Sequence, residues 1–259
     1  VAEDNVTNQD VIRRQLHALG YQCEIAEDGA EALTMWKAKN YAILLSDCHM
    51  PRMDGFELTA AVRFAEAGSH EHLPIVAITA NALEGEAERC LAAGMDEYLS
   101  KPFQIRRLKE VLAANIGPPK NAAPPAEQPP TASALGVDAA NADAVRVGAS
   151  PIDGSVLLEM FDGDEETVRK VLEGFMHPTW NVVSEIEQAW QIRSADGVKR
   201  ASHKLKSSAR SIGANTLADL CEGLESAGRE TDWARLDAGI ARVGGHVREV
   251  ETYINVATG

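Results

Sequence analysis

The sequence predicts two folded domains of different class: an α/β domain built on a parallel sheet, then an all-α domain. Three observations predict this. Short apolar runs alternate with helical patterns up to residue 117, a proline-rich stretch then interrupts the chain, and only helical periodicity follows it. At 259 residues, 45% apolar and 25% charged, the chain is long enough to bury two cores of ordinary size.

In the first domain, residues 41–46 and 73–78 are continuous apolar runs of the kind found in strands buried on both faces. Residues 21–26 and 98–100 supply two more strands, and the few residues before Glu3 a short fifth. Helices are predicted at 6–19, 30–39, 55–67, 83–93 and 104–115, with Phe56, Ala60 and Phe64 on one face of the third. Gly20, Gly29 and Gly94 punctuate their ends. Parallel strands need crossovers, so the alternation implies a parallel five-stranded sheet covered on both faces. Ligands of such folds sit at the carboxyl ends of the strands.

The chemistry-bearing residues fall at those ends. Glu3 and Asp4 close strand one, Asp47 strand three, Thr79 strand four and Lys101 strand five, before Pro102. Carboxylates within about 4 Å repel by several kcal/mol at an effective dielectric of about 20, so they take up protons or hold a cation. A hard divalent ion with oxygen ligands fits, and Mg²⁺ also accepts phosphate oxygens. An aspartate can act as a phosphoryl nucleophile, forming an acyl phosphate. A lysine and a threonine hydroxyl can hold the transferring oxygens.

The strings Asp47-Cys-His-Met-Pro-Arg-Met-Asp-Gly55, Ile78-Thr-Ala80 and Lys101-Pro102 resemble the motifs of response-regulator receiver domains, over residues 1–117. That resemblance implies a flavodoxin-like (βα)5 fold with Asp47 as phosphoacceptor. It implies that Glu3, Asp4, Asp47 and the main-chain carbonyl of His49 bind Mg²⁺, and that Thr79 and Lys101 contact the phosphoryl group. Tyr98 matches the aromatic that swings inward with Thr79 on activation. His49 and Asn81 occupy positions that tune acyl-phosphate hydrolysis. The resemblance also implies a full apolar strand before the acidic pair, where this sequence has only Val1 and Ala2.

Residues 118–150 form the tether. Six of the eleven prolines lie between 118 and 130, and bulky apolar residues stay scarce to the end of the stretch, so it lacks the means to bury a core. Beyond it, over 151–259, a short leading helix precedes four long ones at 164–191, 196–211, 215–227 and 232–256. Pro178 inside the first of these is expected to kink it. Short connections between long helices favour an up-down four-helix bundle.

His203 stands on the second long helix. At 100° per residue, Val198, Ala201, Leu205 and Ile212 fall on the far side from it, while Lys199, Arg200, Lys206, Ser207 and Arg210 lie within about 60°. His203 is therefore expected to face solvent inside a ring of cations. Such a ring would stabilise a phosphohistidine and attract an acidic cleft. A neutral imidazole at pH 7 is nucleophilic.

The string Ala201-Ser-His-Lys-Leu-Lys-Ser-Ser-Ala-Arg-Ser-Ile-Gly-Ala214, with Cys221 and Leu224-Glu225, resembles the signature of histidine phosphotransfer (HPt) domains. It implies that His203 carries phosphate and that Lys206 contacts it. Ser207 stands where the family usually has Gly, and is expected either to leave room for a partner or to hydrogen-bond the imidazole.

A receiver followed by an HPt domain is the usual C-terminal order of hybrid sensor histidine kinases. The resemblance thus implies a phosphorelay from a kinase His to Asp47, then His203, then the receiver domain of a separate response regulator. Nothing in the sequence resembles an ATP-binding kinase core, so the kinase is expected elsewhere on a parent anchored in the bacterial inner membrane. The fragment itself is expected to be cytoplasmic, without direct membrane contact, since no run approaches the roughly 18 apolar residues of a span. Four dispersed cysteines fit reduced thiols. A net charge of −14 argues against nucleic-acid binding, as do 12 Lys/Arg against 18 Asp/Glu over 151–259. A flavin reading founders because carboxylates at the strand ends would repel a flavin phosphate.

Overall fold

The computed structural model describes residues 1–68, 71–79, 86–117 and 150–258. Most of the proline-rich tether and Asn81 lie outside the described residues, as does the start of the predicted 83–93 helix.

In the first domain, β1 (Leu44–Asp47), β2 (Ile75–Thr79) and β3 (Glu97–Ser100) form a parallel sheet in that order, with Ser46 opposite Ala77 and Ala77 opposite Tyr98. Side chains alternate across it with the two-residue period of a strand. Leu44, Ile75 and Ala77 enter one core with Leu58 and Val62 of α3 (Gly55–Glu66). Leu45, Val76 and Ile78 enter the other with Ile12 and Leu16 of α1 (Val6–Ala18) and Leu108 of α5 (Ile105–Ile116). Two further helices are α2 (Gly29–Ala38) and α4 (Glu86–Ala92).

Two expectations change. Instead of five strands, the described residues form three, continued by single parallel bridges from Ala2 to Ala26 and to Ser46. Ala2 thus lies between residue 26 and β1. On α3 the buried stripe is Leu58, Thr59 and Val62, while Phe64 is 85% exposed. Positions 58, 59 and 62 follow the 3.6-residue period as well as 56, 60 and 64 do, and the aliphatic set fits the sheet.

The second domain has a short α6 (Gly154–Met160) and four long helices: α7 (Glu165–Gln191), α8 (Ala195–Ser211), α9 (Asn215–Glu230) and α10 (Trp233–Thr258). Helix α8 packs on α7 and α9, and α10 on both of these, which closes a ring around one apolar core. Pro178 lies within α7, which runs from Glu165 to Gln191 without a break. Asp153, Asp164 and Ser194 cap α6, α7 and α8 through side-chain oxygens that accept backbone N–H groups. No helix among the described residues is long and apolar enough to cross a membrane.

Helix α1 belongs to both domains. One stripe, Ile12 and Leu16, faces the sheet; another, with Asn8 and Val11, faces α7 and α8, Gln15 bonds the last carbonyl of α6, and Val11 enters the core of the helical domain. The two domains therefore form a direct interface that buries Asn8 and Val11 of α1.

Candidate functional site

The carboxyl ends of the parallel segments bring together the residues that sequence reasoning singled out. Glu3, Asp4 and Asp47 each offer a carboxylate oxygen, and these atoms lie within 4.8 Å of one another. Lys101, which follows β3, donates from Nζ to Glu3 Oε2 and to Asp47 Oδ2, both at 2.6 Å. The His49 main-chain N–H donates to Asp47 Oδ1 at 3.1 Å. Thr79 is buried at the end of β2, and Tyr98 on β3 is 37% exposed, so its ring lies outward.

Burial and charge compete here. Burial pushes Glu3 up to about 7, with the nearby Asp47 adding to the rise and Lys101 opposing it. Asp4 is raised for the same reasons, burial first and the Asp47 charge second. Burial would raise Asp47 too, yet the Lys101 ammonium and the His49 N–H outweigh it and hold Asp47 below its ordinary value. Lys101 is itself raised: burial disfavours its charge, but Asp47 and Glu3 more than offset that. The pocket thus holds an ionised Asp47 beside a carboxyl that readily carries a proton.

Across the interface stands His203 of α8. Its ring meets that of His49 edge-on, with centroids 6.2 Å apart and planes at 86°. Nδ1 lies 3.3 Å from Glu225 Oε2 on α9, and the Lys206 ammonium donates to the same oxygen. These partners hold Glu225 down to about 2, the hydrogen bond from His203 being the largest cause. A cleft of about 510 Å³ runs between the domains here, with Asp4, His49 and Asp54 on one wall and Lys199, His203 and Arg229 on the other.

Two expectations about α8 are corrected, and one of the two alternatives for Ser207 is set aside. His203 is half-buried rather than solvent-facing, its side chain 32% exposed, with His49 from the loop after β1 against its ring and Glu225 of α9 at Nδ1. The ring of cations is neutralised within its own domain: Lys199 and Arg200 pair with Asp196, Lys206 with Glu225 and Arg210 with Glu222. Ser207 does not bond the imidazole; its Oγ accepts from Asn8 Nδ2 at 2.9 Å. The far-side residues Val198, Ala201, Leu205 and Ile212 are buried as expected.

Sequence reasoning assigned no role to Glu225, Asn5 or Asn8. The signal for the asparagines was an unusually polar start to α1, Asn5-Val-Thr-Asn-Gln9, in a helix whose other residues pack a core. For Glu225 it was the spacing of Cys221, Leu224 and Glu225, which puts an acid beside the buried stripe of α9.

Family comparison matches two separate stretches of the chain. The family described as "response regulator receiver domain" matches residues 1–113, and the "Hpt domain" family matches residues 170–254. The chain is a receiver domain joined to an Hpt domain. Over 113 residues of the receiver, 44% of this chain, it is 45% identical to the sensor histidine kinase RcsC of Salmonella typhi. Across both domains, 228 residues and 87% of this chain, it is 29% identical to the virulence sensor protein BvgS of Bordetella pertussis. The matched regions make up 12% and 18% of those relatives. A crystal structure of the receiver domain of sensor histidine kinase PA1611 from Pseudomonas aeruginosa, with a magnesium ion coordinated in the active site cleft, is 42% identical. It covers 45% of this chain and 93% of its own, with a TM-score of 0.41. In the chain described here the receiver contributes Asp47 and the Hpt domain contributes His203, on facing sides of one interface.

Proposed function

We propose that this chain relays a phosphoryl group between Asp47 of its receiver and His203 of its Hpt domain. The observation that carries the reading is the pairing of an ionised aspartate, held by Lys101, with a histidine presented to it across the α1–α8 interface. In the transfer the lone pair of His203 Nε2 attacks phosphorus. The P–O bond to Asp47 breaks, and its electron pair returns to the carboxylate, which Lys101 receives. Glu225 holds Nδ1–H, so Nε2 keeps the lone pair the reaction needs. Thr79 and Lys101 steady the phosphoryl oxygens, Lys206 supplies positive charge beside His203, and Tyr98 with Thr79 reports the phosphorylated state.

The donor set fits a hard divalent cation: three carboxylates converge within 4.8 Å, one of them easily protonated when no such charge is near. Mg²⁺, held by Glu3, Asp4, Asp47 and the His49 carbonyl, would supply charge neutralisation on the phosphoryl oxygens. We read the sheet as a flavodoxin-like (βα)5 order in which residues 2 and 26 mark the two reduced strands, and the helical ring as an up-down four-helix bundle. The parent is read as a hybrid sensor histidine kinase, anchored in the inner membrane, whose kinase core charges Asp47. The receiver domain of a separate regulator then takes phosphate from His203.

The test is phosphate labelling of the Asp47→Ala chain. Receiver labelling in Mg²⁺ should vanish, while His203 should still accept phosphate from a phosphorylated regulator. Normal receiver labelling in that variant would overturn the assignment. Acid and base stability of the labelled chain would locate the phosphate, since acyl phosphate and phosphohistidine differ in lability.

A further inference from the structure

Where α1 meets α8, the hydrogen bonds between the domains are made by neutral polar side chains. Asn5, the N-cap of α1, donates from Nδ2 to the Lys204 carbonyl at 2.9 Å and to Ser208 Oγ at 2.7 Å. Asn8, one turn on, donates from Nδ2 to Ser207 Oγ at 2.9 Å and accepts at Oδ1 from Ser211 Oγ at 2.7 Å. Two turns further, Gln15 donates from Nε2 to the Met160 carbonyl at 3.0 Å. Asn5, Asn8, Gln15, Ser208 and Ser211 are all buried, between 0% and 6% exposed. The charged side chains of the two facing helices are satisfied at home. Arg13 and Arg14 pair with Asp10 on α1, and on α8 Lys199 and Arg200 pair with Asp196 and Lys204 with Glu185.

We propose that Asn5 and Asn8 on α1, read by Ser207, Ser208 and Ser211 on α8, form a specificity surface by which this Hpt domain recognises its own receiver through amide–hydroxyl pairing. The inference rests on the phosphorelay reading and deepens it by naming what selects the partner. Buried amides and hydroxyls discriminate strongly, because a partner lacking one member leaves the other dry and unpaired. Pairing of this kind is short-range, so it specifies without electrostatic steering and is largely indifferent to ionic strength. A separate regulator that takes phosphate from His203 must displace α1 from these serines. The partner that fits best presents amide side chains at the N-cap and third residue of its own first helix.

The test uses the full chain with Ser208→Ala and Ser211→Ala together, and the distant Ser226→Ala as control. Two readouts are taken. Hydrogen exchange at the α1 and α8 amides should rise about tenfold in the double variant and stay unchanged in the control. Single-turnover transfer from Asp47, charged by acetyl phosphate in Mg²⁺, to His203 should slow by about the same factor. In the unaltered chain the rate should change less than about twofold between 50 and 500 mM salt. Wild-type exchange and transfer in the double variant, or a rate that collapses with salt, would overturn the proposal. A chain that never labels at Asp47 would instead overturn the relay reading, and the exchange measurement would still decide whether the serines hold the interface.

Discussion

Nδ1 of His203 lies 3.3 Å from Oε2 of Glu225, so a carboxylate on α9 decides which ring nitrogen of the histidine on α8 carries the proton. The same oxygen also receives the Lys206 ammonium, which keeps the carboxylate ionised and in place.

Replacing Glu225 by Ala should release the imidazole to mix its tautomers and slow phosphoryl transfer to His203 by about tenfold, the order expected for losing a charge-assisted hydrogen bond. Nitrogen NMR of the ring should show the Nδ1–H form dominant in the native chain and diluted in the variant. Equal tautomer populations in both would refute the role. The pH dependence has a definite sign. Glu225 titrates at about 2 in the folded chain against 4.5 ordinarily, so its stabilising contribution is complete above 4.5 and is lost as pH falls toward 2. Glu225→Gln should flatten acid unfolding of the Hpt domain in that window.

Lys101 sits between two buried carboxylates, and its removal leaves them facing each other. Lys101→Met should cost about 3–5 kcal/mol, the range for breaking a buried ion pair from one side. Divalent cation should restore part of this loss. Calorimetry with and without Mg²⁺ should therefore show a larger metal-induced rise in Tm for the variant than for the native chain. A variant that melts like the native chain in metal-free buffer contradicts the electrostatic account of the pocket.

What was legible in the sequence was whatever a single element could signal. Helical periodicity located the helices to within a few residues, and strand-end logic gathered Glu3, Asp4, Asp47 and Lys101 from positions up to 98 residues apart. What was not legible depended on the second domain. On a helical wheel His203 faces outward, and nothing in its own helix says that His49 from the loop after β1 will lie against its ring. Of the cations around His203, Lys206 and Arg210 looked free because their acidic partners Glu225 and Glu222 come from another helix, α9. Asn8, to which the sequence assigned no role, bridges Glu3 and Ser207. On α3 two stripes satisfied the same period, and only the sheet chose which of them to bury.

Gly55 carries a backbone constraint that the Asp54-Gly55 pair hinted at. A Cβ at this position would stand 2.2 Å from the Asp47 carbonyl oxygen, a backbone atom with no freedom to swing aside. Gly55→Ala should push the start of α3 away from β1 and cost about 3 kcal/mol. Urea unfolding would measure the loss. Because the Gly55 N–H also donates to the Cys48 carbonyl, Asp47 should lose its alignment and label more slowly than in the native chain.

Glu3 supplies the sharpest pH test. Its folded value is about 7, against 4.5 ordinarily, because it is fully buried beside Asp47. For a carboxyl raised on folding the sign is the reverse of that for Glu225. The folded state binds the extra proton, so this group's contribution is fully present below 4.5 and declines as pH rises through about 7. A divalent cation must displace that proton to use both oxygens. Its apparent affinity should therefore climb as pH rises from 6 to 8, with close to one proton released per ion at the lower end. Titration calorimetry in buffers of different ionisation enthalpy counts the released protons directly. Glu3→Gln should bind the cation more weakly at every pH and lose the proton release. An affinity that stays flat across this range in the native chain would mean that Glu3 is already ionised, held so by Lys101 alone.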